Sequence, residues 1–316
     1  MNAKHCKTIL SVTLLIIAGF GLAAQNGKST YLYAERDTCE LFMDVYEPSE
    51  GSETAFEGHA KPTVLFVFGG GFIGGKRDGE AYVPWFRLLN DNGYKVISID
   101  YRLGLKGMDV PSGVRMVKPL QNAIRMAVED LFSATCYIVE NAADLGVDPE
   151  NIVLSGSSAG AITSLQAEYE ISNRTAIAGV LPEGFNYAGV MSFAGAILSD
   201  KGKLKYAAEP CPQLLLHGTA DKTVNYGSIR FFSWGFFGSD SIAERLSGFG
   251  YNYSIYRYKD HAHDIAEHFI STFPEQIRFL EANVMLGSKR IVDALVDDPM
   301  VEKFESATLE SLYDSK

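Results

Sequence analysis

Cysteine is scarce in this sequence, and its four copies lie far apart without any C-x-x-C pair. That spacing excludes cysteine-rich zinc modules and the dense disulfide scaffolds of small secreted domains. Three cysteines follow the N-terminal segment, and an odd number allows at most one disulfide. Cys39 and Cys211 either pair or remain thiols, and no metal cluster is visible.

Long apolar runs are also missing, apart from one near the N-terminus. A basic end, a short apolar core at residues 9–18 and small residues up to Ala24 follow in the order of a cleaved secretory signal. The core is shorter than the about 18 residues of a membrane-spanning helix. We therefore predict a signal peptide at residues 1–24, a single domain at residues 25–316, and a secreted or periplasmic protein without a membrane span. An uncleaved anchor is the alternative.

Positive charge is in deficit, with 28 Lys and Arg against 39 Asp and Glu and a net charge of −11. Removing residues 1–24 takes away two lysines and no acid, so the mature net charge becomes −13. An acidic surface repels nucleic acid and anionic membranes, and we expect neither as a partner. The sequence carries no indication of the oligomeric state.

Apolar segments of strand length alternate along the chain with segments of helical spacing. Inner segments such as residues 64–68 are apolar throughout, which is typical of parallel strands that are covered on both faces. The pattern predicts an α/β fold with a mainly parallel sheet of about eight strands and helices on both faces. Reactive residues are expected at the carboxyl ends of such strands. The strand-like segments are 41–46, 63–68, 95–99, 152–155, 189–194, 213–217 and 253–258.

Five glycines fall within residues 69–75, directly after a predicted strand. The run nearly fits a phosphate-binding P-loop, but Arg77 stands where that loop needs Ser or Thr to hold magnesium. It also fits the G-x-G-x-x-G spacing of a dinucleotide site, although the acid at the end of the next strand, Asp100, and the helix after the loop both come later than such a site requires. In a third interpretation, the glycine run offers backbone N–H groups to an oxyanion. A second motif, farther along the chain, favours this interpretation.

That motif is GSSAG at residues 156–160, a G-x-S-x-G directly after a predicted strand and before a predicted helix. This context is typical of a nucleophile elbow, in which a sharp turn exposes the hydroxyl of Ser158. A serine nucleophile needs a base and an orienting acid, which follow it in the order acid, then histidine. Asp221 lies in the loop after one later strand, and His261 and His263 lie just beyond the strand that follows. Either histidine fits the spacing.

Six segments in this order resemble the α/β-hydrolase superfamily, specifically its carboxylesterase and lipase members with an HGGG-type oxyanion loop. The resemblance implies Ser158 as nucleophile, Asp221 as acid and His263 as base, since the family histidine precedes a short helical turn. His217, Asp264 and His268 are interpreted as structural, turn and packing residues. The segments are LFMDVYEP at 41–48, FGGGF at 68–72, VISIDYRL at 96–103, GSSAG at 156–160, HGTADKTV at 217–224 and HAHD at 261–264.

The same resemblance assigns the oxyanion hole to the backbone N–H groups of Gly70, Gly71 and Ala159. Glycine suits this position because the backbone must approach the substrate closely. The chain departs from the family pattern at Phe68, where the family has a histidine that braces the loop. Bracing must then come from other residues.

Substrate contacts are predicted at Phe72, Phe232 and Trp234. The last two belong to an aromatic segment at residues 224–240, which is either a helix packed on the sheet or part of a pocket wall. The short spacing of residues 197–212 leaves no room for a large cap domain there.

These features predict an exported serine carboxylesterase that acts on small or polysaccharide-linked esters, with acetyl and feruloyl groups as examples. It needs no metal and no organic cofactor. The alternatives are a lipase or peptidase of the same fold, and a non-catalytic binding protein on that fold.

Overall fold

The computed structural model describes residues 22–25, 27–36, 39–109 and 113–305. Their strands are numbered here in chain order. The strands are β1 Leu22–Gln25, β2 Lys28–Arg36, β3 Cys39–Tyr46, β4 Ala55–Phe56, β5 His59–Ala60, β6 Thr63–Val67, β7 Lys95–Ile99, β8 Ile152–Ser157, β9 Gly189–Phe193, β10 Ala196–Ser199, β11 Gln213–Gly218, β12 Ser228–Phe231, β13 Trp234–Gly238, β14 Tyr253–Tyr258 and β15 Ile291–Val296.

Six α-helices lie between these strands in the described part of the chain, together with short 3-10 and π-helical segments. No helix among the described residues is both long and apolar enough to cross a membrane. The α-helices are α1 Val83–Asp91, α2 Val117–Glu140, α3 Ala142–Leu145, α4 Ala159–Ser172, α5 Ser239–Phe249 and α6 Phe273–Phe279. The 3-10 helices are Gly113–Met116, Ile177–Val180 and His263–Glu267, and the π-helical segment is Leu280–Met285.

One ten-stranded sheet organises the fold, in the order β1-β2-β3-β7-β6-β8-β9-β11-β14-β15. The pairs from β1 to β7 are antiparallel and the remaining pairs are parallel. Every residue of β6, β9 and β11 is buried, so the inner strands are covered on both faces. This confirms the predicted mainly parallel α/β sheet.

The sheet is wider than the predicted eight strands, because β1 and β15 extend its two edges. Strand β15 alternates between exposed and half-buried residues, as an edge strand does when one face stays in solvent. Strand β1 overlaps the last three residues of the predicted signal peptide, and residues 1–21 lie outside the described residues. The acidic C-terminal tail after Asp297, for which the sequence predicts a short helix, forms no helix at residues 298–305, and residues 306–316 lie outside the described residues.

The aromatic segment at residues 228–238 is a β-hairpin, so the expected helix is wrong. Strands β12 and β13 pair antiparallel, and β13 also pairs with β10 to make a small three-stranded sheet. Aromatic residues fit a pleated, half-buried surface better than a helix, and burial alternates along the first residues of β13. The described residues contain no disulfide, and the Cys211 thiol lies beside Glu168.

Candidate active site

Ser158 occupies a strained turn between β8 and α4. Its backbone has φ 50° and ψ −116°, a region that non-glycine residues rarely adopt and that costs about 1–3 kcal/mol. The turn is so tight that a Cβ on Gly160 would lie 1.9 Å from the Val67 carbonyl oxygen, and one on Gly156 would lie 2.3 Å from the Gly160 oxygen. The two glycines of the motif are therefore sterically required, as a nucleophile elbow demands.

A continuous chain of hydrogen bonds joins Ser158, His263 and Asp221. Ser158 Oγ lies 2.8 Å from His263 Nε2, and His263 Nδ1 lies 2.7 Å from Asp221 Oδ2. The three residues are only 8%, 5% and 2% exposed, respectively. His261 instead contacts Asp264 through its Nδ1, at 2.6 Å. The structure thus brings His263 rather than His261 to Ser158. It thereby distinguishes the two histidines, either of which fits the sequence spacing.

Four donors surround the carboxylate of Asp221. Its Oδ1 accepts the backbone N–H groups of Thr223 and Val224 at 2.8 and 3.0 Å. Its Oδ2 accepts His263 and also His217 Nε2, at 3.2 Å. His217 Nε2 lies 3.0 Å from the Val224 carbonyl as well, so this nitrogen carries the hydrogen. His217 therefore supports the acid, a role beyond the structural one inferred from the sequence.

The pKa of Asp221 lies below its ordinary value of 3.8. Burial opposes ionisation, but the hydrogen bonds from His217 and His263 outweigh burial and lower the pKa to about 2. Asp221 is therefore a carboxylate at neutral pH. A carboxylate in this place favours the imidazole hydrogen on His263 Nδ1, which leaves Nε2 free to accept the Ser158 hydroxyl hydrogen.

This lowered pKa predicts an acid-sensitive contribution to stability. A carboxyl whose pKa is lower in the folded state stabilises the fold above its unfolded pKa, and that contribution disappears as pH falls through the folded pKa. Between pH 5 and pH 2, wild type is expected to lose about 2 kcal/mol more unfolding free energy than Asp221→Asn, which has no carboxyl to titrate. Urea unfolding at a series of pH values measures this difference, and equal losses in the two proteins would contradict it.

The glycine loop lies directly beside Ser158. A Cβ on Gly69 would lie 3.3 Å from Ser158 Cβ, and one on Gly70, whose φ is +119°, would lie 2.3 Å from the Gly74 carbonyl oxygen. Among the described residues, none accepts a hydrogen bond from the N–H of Gly70 or Gly71. Ala159 begins α4 next to Ser158, so its N–H belongs to the positive end of a helix. These N–H groups can therefore donate hydrogen bonds to a negatively charged oxygen beside Ser158.

Two tyrosines brace the loop where the family has a histidine. The ring of Tyr101 packs against that of Phe68 at a centroid distance of 4.5 Å with the planes tilted by 31°, and its hydroxyl donates to the Phe68 carbonyl oxygen at 2.9 Å. The Tyr82 hydroxyl accepts the Gly69 N–H at 3.0 Å. Farther along, the Leu105 N–H donates to the Phe72 carbonyl at 3.0 Å. The sequence identified the need for bracing, but not the residues that provide it.

Removing the Tyr82 hydroxyl is expected to slow turnover while leaving the fold intact. Tyr82→Phe keeps the ring contacts with Phe66 and Phe269 but leaves the Gly69 N–H without its acceptor. Because loss of a whole oxyanion donor costs about 10²–10³-fold in kcat, displacement of the loop should cost about tenfold. Steady-state kinetics on an aryl ester measures kcat and KM separately.

Tyr94→Phe is the matched control, since its buried hydroxyl has no hydrogen-bond partner among the described residues. Its kcat should equal that of wild type. A Tyr82→Phe variant as active as Tyr94→Phe would show that the hydroxyl does not position the loop.

The three residues predicted to contact substrate are spread over the molecule. Phe72 is buried with its ring 6.3 Å from that of Tyr101, and Phe232 is 90% exposed at the tip of the β12–β13 hairpin. Trp234 lines a cavity of about 290 Å³ with residues of α2 and α4, and no residue of the hydrogen-bonded group around Ser158 lines it. The structure does not bring these side chains together around Ser158.

Comparison with known sequences finds partial matches that include several esterases. A family model described as BD-FAE matches residues 43–178. Esterase FE4 of Myzus persicae is 31% identical over 140 residues, which are 44% of this chain and 23% of that protein. Fumonisin B1 esterase of Sphingopyxis macrogoltabida is 25% identical over 123 residues, or 38% of this chain and 21% of that protein. The matches therefore span only about a quarter of these relatives' length or less.

Comparison with solved structures covers more of the chain. Esterase 2 of Thermogutta terrifontis, phosphorylated by paraoxon, superposes with a TM-score of 0.56 at 19% identity, covering 82% of this chain and 96% of that one. The same esterase with bound propionate gives a TM-score of 0.57 at 21% identity, with coverages of 80% and 96%. At these identities the similarity shows a shared fold.

Proposed function

We propose that the chain is a serine hydrolase of carboxylic esters, since it shares the fold of known esterases and matches esterase sequences over part of its length. The observation that carries the proposal is the unbroken hydrogen-bonded chain from Ser158 through His263 to Asp221 at a strained elbow. A serine hydroxyl is a weak nucleophile until a positioned base removes its proton. This geometry supplies the base, and the base is oriented by an ionised acid.

The reaction proceeds through an acyl-enzyme. Ser158 Oγ attacks the ester carbonyl carbon while His263 Nε2 takes the hydroxyl proton, and Asp221 stabilises the imidazolium that forms. The tetrahedral intermediate collapses, the carbon–oxygen bond to the alcohol breaks, and His263 returns the proton to the leaving alcohol. Water then attacks the acyl group by the same route, which releases the acid and restores Ser158.

Negative charge that develops on the carbonyl oxygen requires fixed donors. The N–H groups of Gly70, Gly71 and Ala159 supply them, because two belong to the braced loop beside Ser158 and the third belongs to the start of α4. Such donors stabilise the transition state without reorganising during the reaction. The bond that Tyr82 makes to Gly69 holds this loop in place.

Small acyl groups are the proposed substrates. Ser158 is only 8% exposed, so little of the nucleophile can be reached from solvent. Acetyl and similar short acyl groups fit such a site, including those carried on polysaccharides.

A series of 4-nitrophenyl esters with increasing acyl length tests the proposed activity and its size limit. The highest kcat/KM is expected for the shortest acyl chains, with a decline toward medium-length ones. Absence of hydrolysis across the whole series would contradict the function. A preference for long chains would instead favour a lipase.

We also propose that the protein is exported and that residues 1–24 are removed. The support is the order of basic, apolar and small residues at the N-terminus. Cleavage after Ala24 would remove three of the four residues of β1, which is an edge strand, and would leave the catalytic strands complete. Intact mass measurement of the protein recovered from the periplasm or medium tests this, and an uncleaved N-terminus would contradict it.

A further inference from the structure

Three buried side chains form a second cluster on the segment that carries His263. His261, Asp264 and His268 follow one another at spacings of three and four residues, with Asp264 inside the 3-10 helix His263–Glu267 and one histidine on each side of that helix. From the sequence, Asp264 was interpreted as a turn or solvent group and His268 as a packing residue. In the structure Asp264 is buried, and His268 is 7% exposed.

The cluster brings two imidazoles to one carboxylate. Asp264 Oδ2 lies 2.6 Å from His261 Nδ1 and 3.4 Å from His268 Nε2. One ligand atom from each residue lies within 4.8 Å of the others. Tetrahedral zinc with bonds of about 2.0–2.1 Å separates neighbouring ligand atoms by roughly 3.3 Å, so the cluster reaches that geometry with small side-chain shifts.

His268 Nε2 is the atom that indicates a missing ligand. It is buried and has no hydrogen-bond partner among the described residues, since 3.4 Å exceeds the usual range of about 2.7–3.2 Å. The other ring nitrogen, Nδ1, lies 2.7 Å from Ser271 Oγ. Metal-bound histidines commonly hydrogen-bond through the second nitrogen in this way, which fixes the ring and its tautomer.

The cluster is separate from the proposed catalytic residues. No hydrogen bond between described residues joins it to Ser158 or Asp221, and His263 points instead to those two residues. However, His263 lies between His261 and Asp264 in the chain. A bound cation would therefore hold the chain on both sides of His263 and so stabilise the turn that positions this residue.

We propose that His261, Asp264 and His268 bind one divalent transition-metal ion of the zinc class. Two imidazole nitrogens and one carboxylate oxygen suit zinc, whereas magnesium and calcium prefer all-oxygen ligand sets. The fourth position is open to water. On binding, the ion takes the nitrogen lone pairs of the two neutral imidazoles, each of which keeps its hydrogen on the other ring nitrogen. The site stabilises the turn and takes no part in bond breaking.

Zinc titration of the full-length chain, first treated with a chelator and then dialysed, tests the site. Elemental analysis after gel filtration should find about one zinc per wild-type chain, and calorimetry should show saturable binding. His268→Ala should weaken binding by at least about 100-fold, and Ser271→Ala by about tenfold. His59→Ala removes an exposed histidine elsewhere and should bind like wild type.

Cobalt offers an independent readout on the wild-type protein. A d–d absorption band of tetrahedral intensity should appear at one equivalent, and zinc should displace it. His268→Gln, which retains much of the side-chain volume, serves if His268→Ala does not fold. Absence of stoichiometric zinc binding by wild type, or binding by His268→Ala and His268→Gln as tight as by His59→Ala, would overturn the proposal.

Discussion

Replacing Ser158 with alanine is expected to lower kcat for a 4-nitrophenyl ester by at least about 10⁴-fold. The variant lacks the hydroxyl that lies 2.8 Å from His263 Nε2, so the acyl-enzyme cannot form at this position. KM should change little, since the residues around Ser158 stay in place. The strain at φ 50° persists with alanine, and the fold should therefore be retained.

Ser155→Ala is the matched control for this substitution. Ser155 lies on the same strand, β8, and its buried hydroxyl has no hydrogen-bond partner among the described residues. Its kcat should remain close to that of wild type. If Ser158→Ala hydrolysed the ester as fast as Ser155→Ala, the mechanism would be wrong.

Replacing His263 with alanine should have an effect of similar size, a loss of at least about 10⁴-fold in kcat. The substitution removes the imidazole that contacts Ser158 Oγ and takes one of the four hydrogen-bond donors from the ionised Asp221. The double variant of Ser158 and His263 should be little worse than either single one, because the two residues act as one unit. Kinetics of the two single variants and the double variant measure this non-additivity.

His261→Ala separates the two histidines that the sequence left open. His261 contacts Asp264 and not Ser158, so this variant should remain at least about 100-fold more active than His263→Ala. His59→Ala, which changes an exposed histidine far along the chain, controls for loss of an imidazole in general. Equal losses in His261→Ala and His263→Ala would reject the assignment of the base.

Local sequence order was enough to predict the nucleophile turn and the residues that meet there. Strand, glycine, serine and glycine lie next to one another, and the turn follows from their steric requirements at Gly156 and Gly160. Asp221 and the two candidate histidines were predictable because parallel strands deliver their carboxyl ends to one edge of the sheet, whereas the choice of His263 over His261 came from the family resemblance.

Other parts of the site depend on contacts between distant segments. Tyr82 and Tyr101 brace the glycine loop from 13 and 33 residues away, and no spacing rule links them to it. The role of His217 depends on the turn that folds Asp221 and Val224 back toward it. The sequence left a helix as one alternative for the aromatic hairpin, because a short apolar run fits the periodicity of a helix as well as that of a strand. Only the pairing of β13 with β10, a contact between distant segments, identifies the run as a strand.

The most direct measurement is the mass and position of the adduct formed with a fluorophosphonate probe. If Ser158 is the nucleophile, we expect one adduct per chain on the peptide that contains Ser158. Wild type and Ser155→Ala should both form it rapidly. His263→Ala should form it far more slowly, and Ser158→Ala should not form it. An adduct on another residue, or equal labelling of Ser158→Ala, would contradict the assignment of Ser158 as the nucleophile.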